Sequence, residues 1–535
     1  MKTVSLIGNN FKITFPYDPA TVAQVRCLPQ GRRWDPVTHA WWCPPSVNAL
    51  TQLREYGFEV DQSAQRWEQE FYKPAKPNTV AAVTNIPGLK GKLYPFQAEG
   101  VGFIESRGGR ALLGDEMGLG KTIQALAWLQ NNPNALPAVV VCPASLKGMW
   151  ETECKKWTMF TPVLLHGMVP FLLHSASQKN IIYIINYDIL SGWLPALALC
   201  KTVILDEVHY CKSAKTKRTK AVKRFCKNKS HVIALSGTPI VNRPSEFFIA
   251  LNILAPATFP KWWDFAQRYC DAKHNGFGWD TSGASNVEEL HTRAETVMLR
   301  RLKADVLKDL PEKQRSVVPL SLNGKQAVYD AVLAHVLGAW RNEEEKPDPL
   351  RDITQISHLR QAVMDAKFDA CVEWINCFVE TGKKLVIFDI FHKTTDRLME
   401  RYNKIAVALD GRVDSRLRSK VIDKFQNDPS VQILIGNIQV AGIGFTLTAA
   451  SDVVFLELPW TPAEVDQSSD RVHRIGQRNA VTIYFLIAPN TMEEDILTLL
   501  DEKRKVLNAV LDGKITGEEM SIYPELLRRL KNKRK

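Results

Sequence analysis

Short apolar runs separated by stretches of helical periodicity recur in two series along this chain, and that alternation constrains the fold more than any other feature. From residue 92 to about 255 the series is "RALLG", "PAVVVCP", "NIIYIINY", "TVILDE" and "HVIALSGT"; from about 380 to 490 it is "KLVIFDI", "IAVALDG", "VQILIGN", "DVVFLEL" and "VTIYFLIA". Runs this short and this continuously apolar suit parallel strands whose sheet is covered by helices on both faces. Each series predicts one α/β layer, and two layers predict two lobes. No run approaches the ~18 to 20 apolar residues of a membrane span. The N-terminal "MKTVSLIGNNFKITF" lacks the long apolar core of a signal peptide. A soluble, intracellular monomer with no membrane partner is expected, cytoplasmic in a prokaryote or virus and nuclear in a eukaryote.

Around the two layers the chain divides further. Residues 1–62 form a Trp-rich α+β unit, and the polar, proline-bearing stretch 63–91 reads as a linker. The first lobe is expected over 92–320 with an aromatic, irregular insertion at about 256–296, followed by a helical protrusion over 321–360. The second lobe is expected over 361–512, and a basic tail over 513–535. The segment "MLRRLKADVLKDLPEKQ" reads as a connection. Lysine and arginine total 69 against 57 acidic residues, a net charge of +12 that suits a polyanionic partner. Ten cysteines include no CxxC pair, so neither a zinc site nor a disulfide framework is indicated.

The chemistry starts at "LLGDEMGLGKTIQAL", where Asp115 stands at the place the GxxxxGK[ST] pattern gives to its first glycine. A phosphate-binding loop needs glycines next to its lysine so that backbone N–H groups can crowd the phosphates. Gly118 and Gly120 meet that need. Lys121 would reach the β and γ phosphates of a nucleotide, and the Thr122 hydroxyl would sit on Mg2+. A buried strand before the loop and a helix after it complete the required context.

A second signal lies about 85 residues on, in "VILDEVHY". Asp206 at the carboxyl end of a strand is placed to hold Mg2+, and Glu207 beside it to orient and deprotonate an attacking water. The third is "RVHRIGQ", in which Arg471 and Arg474 are three apart and would share one helix face. That spacing suits either charge stabilisation of a transferring γ-phosphoryl group or an ordinary basic surface turn.

In order along 92–510, "LYPFQAEGV", "DEMGLGKT", "VVCPASL", "INYDIL", "DEVH", "LSGTPI", "MLRRLKADVLKDLPEK", "LDGRVDSRLRSKVIDKF", "ILIGNIQVAGIGFTLTAASDVV" and "DQSSDRVHRIGQ" resemble the superfamily-two helicases, and within them the Swi/Snf family of double-stranded DNA translocases. The resemblance implies two RecA-like parallel-sheet lobes with helical insertions, ATP and Mg2+ as cofactors, and ATP hydrolysis coupled to movement on DNA. It gives Gln97 an adenine contact, and Ser236, Thr238, Gln467 and Gln477 a part in coupling. In this family the first glycine is routinely absent, which accounts for Asp115. Two departures stand out: Val208 precedes the histidine of "DEVH" where Ala or Gly is common, and "GNIQVAGIGFTL" lacks a Thr/Arg-rich opening.

The N-terminal "FKITFPYDPATVAQVRCLPQGRRWDPVTHAWWCPP" resembles the HepA-related-protein module of annealing helicases. Under that resemblance Arg32, Arg33, Trp34, Trp41 and Trp42 would engage branched DNA; alternatively, the tryptophans fill the core of a small domain. Residues 212–229 carry nine basic and no acidic residues, fit for tracking phosphates or for a solvated helix face. The expected activity is that of a motor on duplex or forked DNA. Its alternatives are a strand-separating helicase, a non-motor P-loop enzyme such as a kinase, which would need no second α/β half with the arginine motif, and an inactive DNA-binding scaffold, which would be expected to have lost Lys121, Glu207 or an arginine.

Overall fold

The computed structural model describes residues 2–8, 10–28, 32–45, 47–72, 81–170, 180–211, 213–237, 244–274, 278–281, 283–322, 324–341, 349–441, 445–511 and 522–532. They form two units. Among them, no helix is long and apolar enough to cross a membrane.

The larger unit contains both α/β layers. In the first lobe, seven parallel strands run in the order Met298–Leu299, Arg110–Leu113, His231–Leu235, Thr202–Asp206, Ala138–Cys142, Ile181–Asn186, Thr161–Leu164. The central strands are buried along nearly their whole length, which is why they read as continuous apolar runs. This order brings the carboxyl ends of Arg110–Leu113, His231–Leu235 and Thr202–Asp206 side by side, so the P-loop, Ser236 and Asp206 meet on one edge. Loops at strand carboxyl ends are where open α/β sheets bind ligands.

In the second lobe the order is Lys313–Pro319, Val481–Ile487, Asp452–Phe455, Leu385–Asp389, Ile433–Asn437, Ala406–Leu409, again all parallel. Three boundaries differ from the sequence reading. Strand Lys313–Pro319, inside the stretch assigned to the first lobe, pairs along its length with Val481–Ile487 of the second. Its mixed exposure, with four of its residues open to solvent, hid it from a search for continuous apolar runs. The 321–360 stretch does not protrude: Tyr329, Trp340 and Ile356 are buried in the second-lobe core. The basic tail includes a helix, Tyr523–Asn532, whose Leu526 and Leu530 enter that core beside Ile522.

The smaller unit has a five-stranded sheet in the order Arg33–Asp35, Ala40–Cys43, Asn10–Thr14, Thr3–Ile7, Glu59–Val60. Its core includes Phe11, Ile13, Leu50, Leu53 and Phe58. The folded part runs past residue 62. Helix Gln62–Tyr72, in the stretch read as linker, sets Trp67 edge-on against Phe11 at 5.1 Å. Residues 244–296 also belong here and not to the first lobe. Phe259, Phe265 and Tyr269 share a cavity of about 320 Å3 with Pro45 and Trp67, an apolar burial that local sequence cannot announce.

Candidate active site

Strand Arg110–Leu113 delivers the chain to the phosphate-binding loop, and helix Lys121–Asn131 leaves it. Gly118 and Gly120 both have left-handed backbones, with φ of 90° and 76°. A Cβ on Gly120 would stand 2.5 Å from Gln97 Nε2, and one on Gly118 would stand 3.3 Å from Arg474 Cγ and 3.2 Å from Lys303 Cε. The left-handed backbone disfavours a side chain at both places, and at Gly120 the approach of Gln97 also leaves no room unless that amide shifts. Gln97 fastens the loop, donating from Nε2 to Leu119 O (3.2 Å) while its Oε1 accepts from Tyr94 N (3.1 Å). The Lys121 ammonium donates to Asp115 O at 2.7 Å; burial pushes its pKa down, while Glu207, Asp115 and Asp206 pull it back up.

Asp115 is an anchor. Fully buried, it accepts from Arg301 through both carboxylate oxygens, Nε to Oδ1 at 3.0 Å and Nη2 to Oδ2 at 2.6 Å, and from Gln124 Nε2 at 3.1 Å. A buried carboxylate is tolerated when a guanidinium fork pairs with it in this way. Glu116 N donates to Arg301 O at 2.9 Å, and Lys303 N donates to Glu116 Oε2 at 2.7 Å. The connection 297–303 is therefore laid down along the P-loop. Arg301 and Lys303 were read only as part of a connecting segment; the signal available was their position in a resembling motif.

Strand Thr202–Asp206 ends at the two carboxylates. Asp206 Oδ2 accepts from Trp150 Nε1 (2.7 Å), and its backbone carbonyl accepts from Tyr187 OH (2.8 Å). Glu207 takes φ +52°, a left-handed backbone costing a non-glycine residue roughly 1 to 2 kcal/mol. Such strain is characteristic of functional positions. His209 Nδ1 lies 3.3 Å from Glu207 Oε2 and 3.4 Å from Ser236 Oγ, linking the carboxylate to the neighbouring strand end. Burial and the charge of Glu207 push Asp206 up to about 7, against Trp150 and Lys121. Burial also acts to raise Glu207, but His209, Lys121 and Arg471 outweigh it and hold Glu207 below the usual glutamate range.

From the second lobe comes a capped helix, Pro462–Ser469, with Thr461 Oγ1 accepting from Glu464 N at 3.2 Å and Glu464 Oε2 accepting from Thr461 N at 3.0 Å. It ends before the arginines. Arg471 and Arg474 occupy a turn, not the shared helix face expected from their spacing. The turn is tied down by Gln477, which donates to Ala450 O at 2.7 Å and accepts from Arg478 N at 2.9 Å. These hydrogen bonds of Gln477 stay within its own lobe, and Gln467 is half-buried on the capped helix. Arg474 donates to Thr446 Oγ1 at 3.1 Å and faces the P-loop. Arg471 is buried near Glu207 and Asp206; burial and the charge of Arg474 push its pKa down to about 10. Ser236 is buried at the edge carrying both motifs, and Thr238 lies outside the described residues.

Between these parts is a cavity of about 570 Å3. Tyr94, Gln97, Thr122 and Trp157 line it from the first lobe, Thr446 and Arg474 from the second. Its volume suits a mononucleotide. Trp157 lines the same cavity as Lys92 and Tyr94, a position the sequence reading missed.

The five N-terminal candidates separate. Arg32, Arg33 and Trp34 are exposed. Trp41 pairs with Ile13 and packs on the domain core, whereas Trp42 pairs with Lys12 and Arg33 on the opposite sheet face. Strand alternation sends neighbouring tryptophans to opposite sides. Helix Lys217–Cys226 buries Val222 and Phe225 and exposes Lys217, Lys220 and Arg224.

Two family models match the chain, the SNF2-related domain over residues 96–367 and the helicase conserved C-terminal domain over residues 366–476. The chain is similar to the SWI/SNF-related matrix-associated actin-dependent regulator of chromatin subfamily A-like protein 1 homolog of Caenorhabditis elegans, at 33% identity over 94% of this chain and 75% of that protein. It is 36% identical to the Xenopus laevis protein of that name, over 78% of this chain and 44% of that one. It is 34% identical to the Homo sapiens DNA annealing helicase and endonuclease ZRANB3, over 81% of this chain and 42% of that one. It therefore spans three quarters of the first relative and less than half of the other two.

Proposed function

The chain belongs to the SNF2-related family of ATP-hydrolysing DNA motors, and on that premise we propose that it translocates on double-stranded or branched DNA and remodels or anneals forks. One observation carries the motor reading: Arg474 of the second lobe reaches within van der Waals range of the space a side chain would fill at Gly118 of the P-loop. Chemistry that needs both lobes can be coupled to their relative movement.

In this reading the P-loop N–H groups and Lys121 hold the β and γ phosphates of ATP. Glu207 orients a water and takes its proton, while Arg471 and Arg474 offset charge on the transferring phosphoryl group. Gln97 and Trp157 border the adenine end. The donor set fits Mg2+, because Thr122 lines the cavity and Asp206 is buried beside a second carboxylate, burial first and then that charge raising its pKa, a crowding that a divalent cation would relieve. Bound there, the ion neutralises phosphate charge. His209 and Ser236 form a path by which the state of Glu207 is felt at the neighbouring strand end.

The smaller unit supplies the choice of DNA structure. Its face of Lys12, Arg33 and Trp42 combines phosphate contacts with base stacking, and exposed Trp34 offers a second ring at the sheet edge on the opposite face. The naming of one relative as a DNA annealing helicase supports annealing as the activity. The test is the ATPase rate with no DNA and with single-stranded, duplex and forked DNA, alongside displacement and annealing of a labelled strand. Stimulation by duplex and forked DNA with annealing is expected. Displacement without annealing would favour the strand-separating alternative, and a rate indifferent to every DNA would refute the motor reading.

A further inference from the structure

The connection between the lobes carries a buried cation that touches both halves of the active site. Lys303, 4% exposed, donates from its ammonium to the carbonyl of His473 at 2.9 Å and pairs with Asp470 Oδ1 at 3.0 Å. Both partners flank the arginine turn, since Asp470 precedes Arg471 and His473 precedes Arg474. On the other side Lys303 N is bonded to Glu116 Oε2, its Nζ is 3.9 Å from Glu116 Oε1, and its Cε borders Gly118. One side chain therefore spans from the P-loop to the arginines.

We infer that Lys303 is a positioning residue that holds the Arg471–Arg474 turn in register with the P-loop when the lobes close. The inference rests on the assignment of those arginines to ATP hydrolysis. Lys303 is held on one side by a backbone that follows the P-loop strand, so the P-loop fixes where its ammonium lies. On the other, Asp470 stays ionised. Burial acts to raise its pKa, but Lys313 and Lys303 outweigh that effect. Lys313, 2.9 Å from the same oxygen, belongs to a second-lobe strand, and among the described residues its ion pair is with Asp470 and not with the P-loop. The two lysines share one carboxylate, and only Lys303 bridges the lobes.

This difference supplies the test. Lys303→Met and Lys313→Met are compared by binding of a fluorescent ATP analogue and by single-turnover hydrolysis on duplex DNA, with Arg474→Ala as control. Lys303→Met is expected to slow hydrolysis on the order of 10- to 100-fold, as displacement of a catalytic group by about 1 Å does. Nucleotide affinity should change less than about threefold, the direct contacts to nucleotide being intact. Lys313→Met should keep most of the rate. Asp470→Asn should be slower than Lys303→Met, because it leaves buried Lys303 and half-buried Lys313 repelling each other, and adding Lys303→Met to it should recover rate.

A Lys303→Met rate within about twofold of wild type, or equal losses from both lysine variants, would overturn the inference. If Lys303→Met alone fails to fold, absence of recovery in the double variant would do so. Should Arg474→Ala hydrolyse normally, the assignment of the arginines fails instead, and the two failures are told apart by that control.

Discussion

Replacing Asp115 by glycine would restore the common P-loop spelling, and the structure predicts that doing so damages the protein. The substitution leaves Arg301, 11% exposed, without the carboxylate that accepts from its Nε and Nη2. Removing one partner of a buried ion pair costs about 3 to 5 kcal/mol. Arg301 keeps the carbonyl of Phe96, Gln124 Oε1 at 3.0 Å and, more weakly, Glu99 at 3.5 Å, so the lower end, about 3 kcal/mol, applies. At about 2 to 4 °C per kcal/mol, the apparent melting temperature falls by about 6 to 12 °C. Hydrolysis falls as well, because the Asp115–Arg301 pair sets the path of the connection that carries Lys303 past the P-loop. Melting followed by circular dichroism and steady-state ATPase measure the two effects. Adding Arg301→Met removes the stranded charge and should recover at least half of the lost melting temperature. A glycine variant that melts within about 1 °C of wild type and hydrolyses ATP normally would refute the anchoring role.

Glu207→Gln keeps side-chain volume and removes the base, so ATP turnover should fall at least 100-fold while analogue binding and DNA binding survive; loss of DNA affinity in the folded variant contradicts the assignment. Trp34→Ala should weaken fork binding about 5- to 150-fold, the worth of one stacked base, with little change in melting, whereas Trp41→Ala should lower melting through the N-terminal core; the reverse pattern in binding and melting assays would exchange their roles. Asp389 is buried at a second-lobe strand end with its pKa pushed up to about 8, by burial first and then by Glu457 and Asp410. The unfolded chain ionises it near pH 4. Its stabilising effect is therefore complete below about pH 4 and is lost as pH rises toward 8, at up to about 1.4 kcal/mol per pH unit. Asp389→Asn should gain melting temperature over wild type between pH 5 and pH 8, and a constant difference across that range would contradict the buried neutral carboxyl.

Sequence alone determined what depends on neighbouring residues. The buried strands of both lobes were legible because burial on two faces leaves a continuous apolar run. The glycines at 118 and 120 were legible because a left-handed backbone disfavours a side chain at both, with close approach adding to this at Gly120. Asp206 and Glu207 followed from their place at a strand end. Tertiary structure decided what depends on distant partners. Asp115 meets Arg301 across 186 residues, and Lys303 meets His473 across 170, so neither local pattern contains the other half of the interaction. Strand Lys313–Pro319 was invisible as an apolar run because its exposure is mixed, and its lobe was set by the pairing it finds at Val481–Ile487. The tryptophans at 34, 41 and 42 look alike in sequence; strand register puts Trp34 and Trp41 on one sheet face and Trp42 on the other, and only Trp41 packs on the core, because Trp34 stands on the edge strand. Arg471 and Arg474 were found by spacing for the wrong geometric reason. They converge on the P-loop because the lobes bring a turn to it, and the energy that holds that turn in place comes from contacts between residues far apart in the chain.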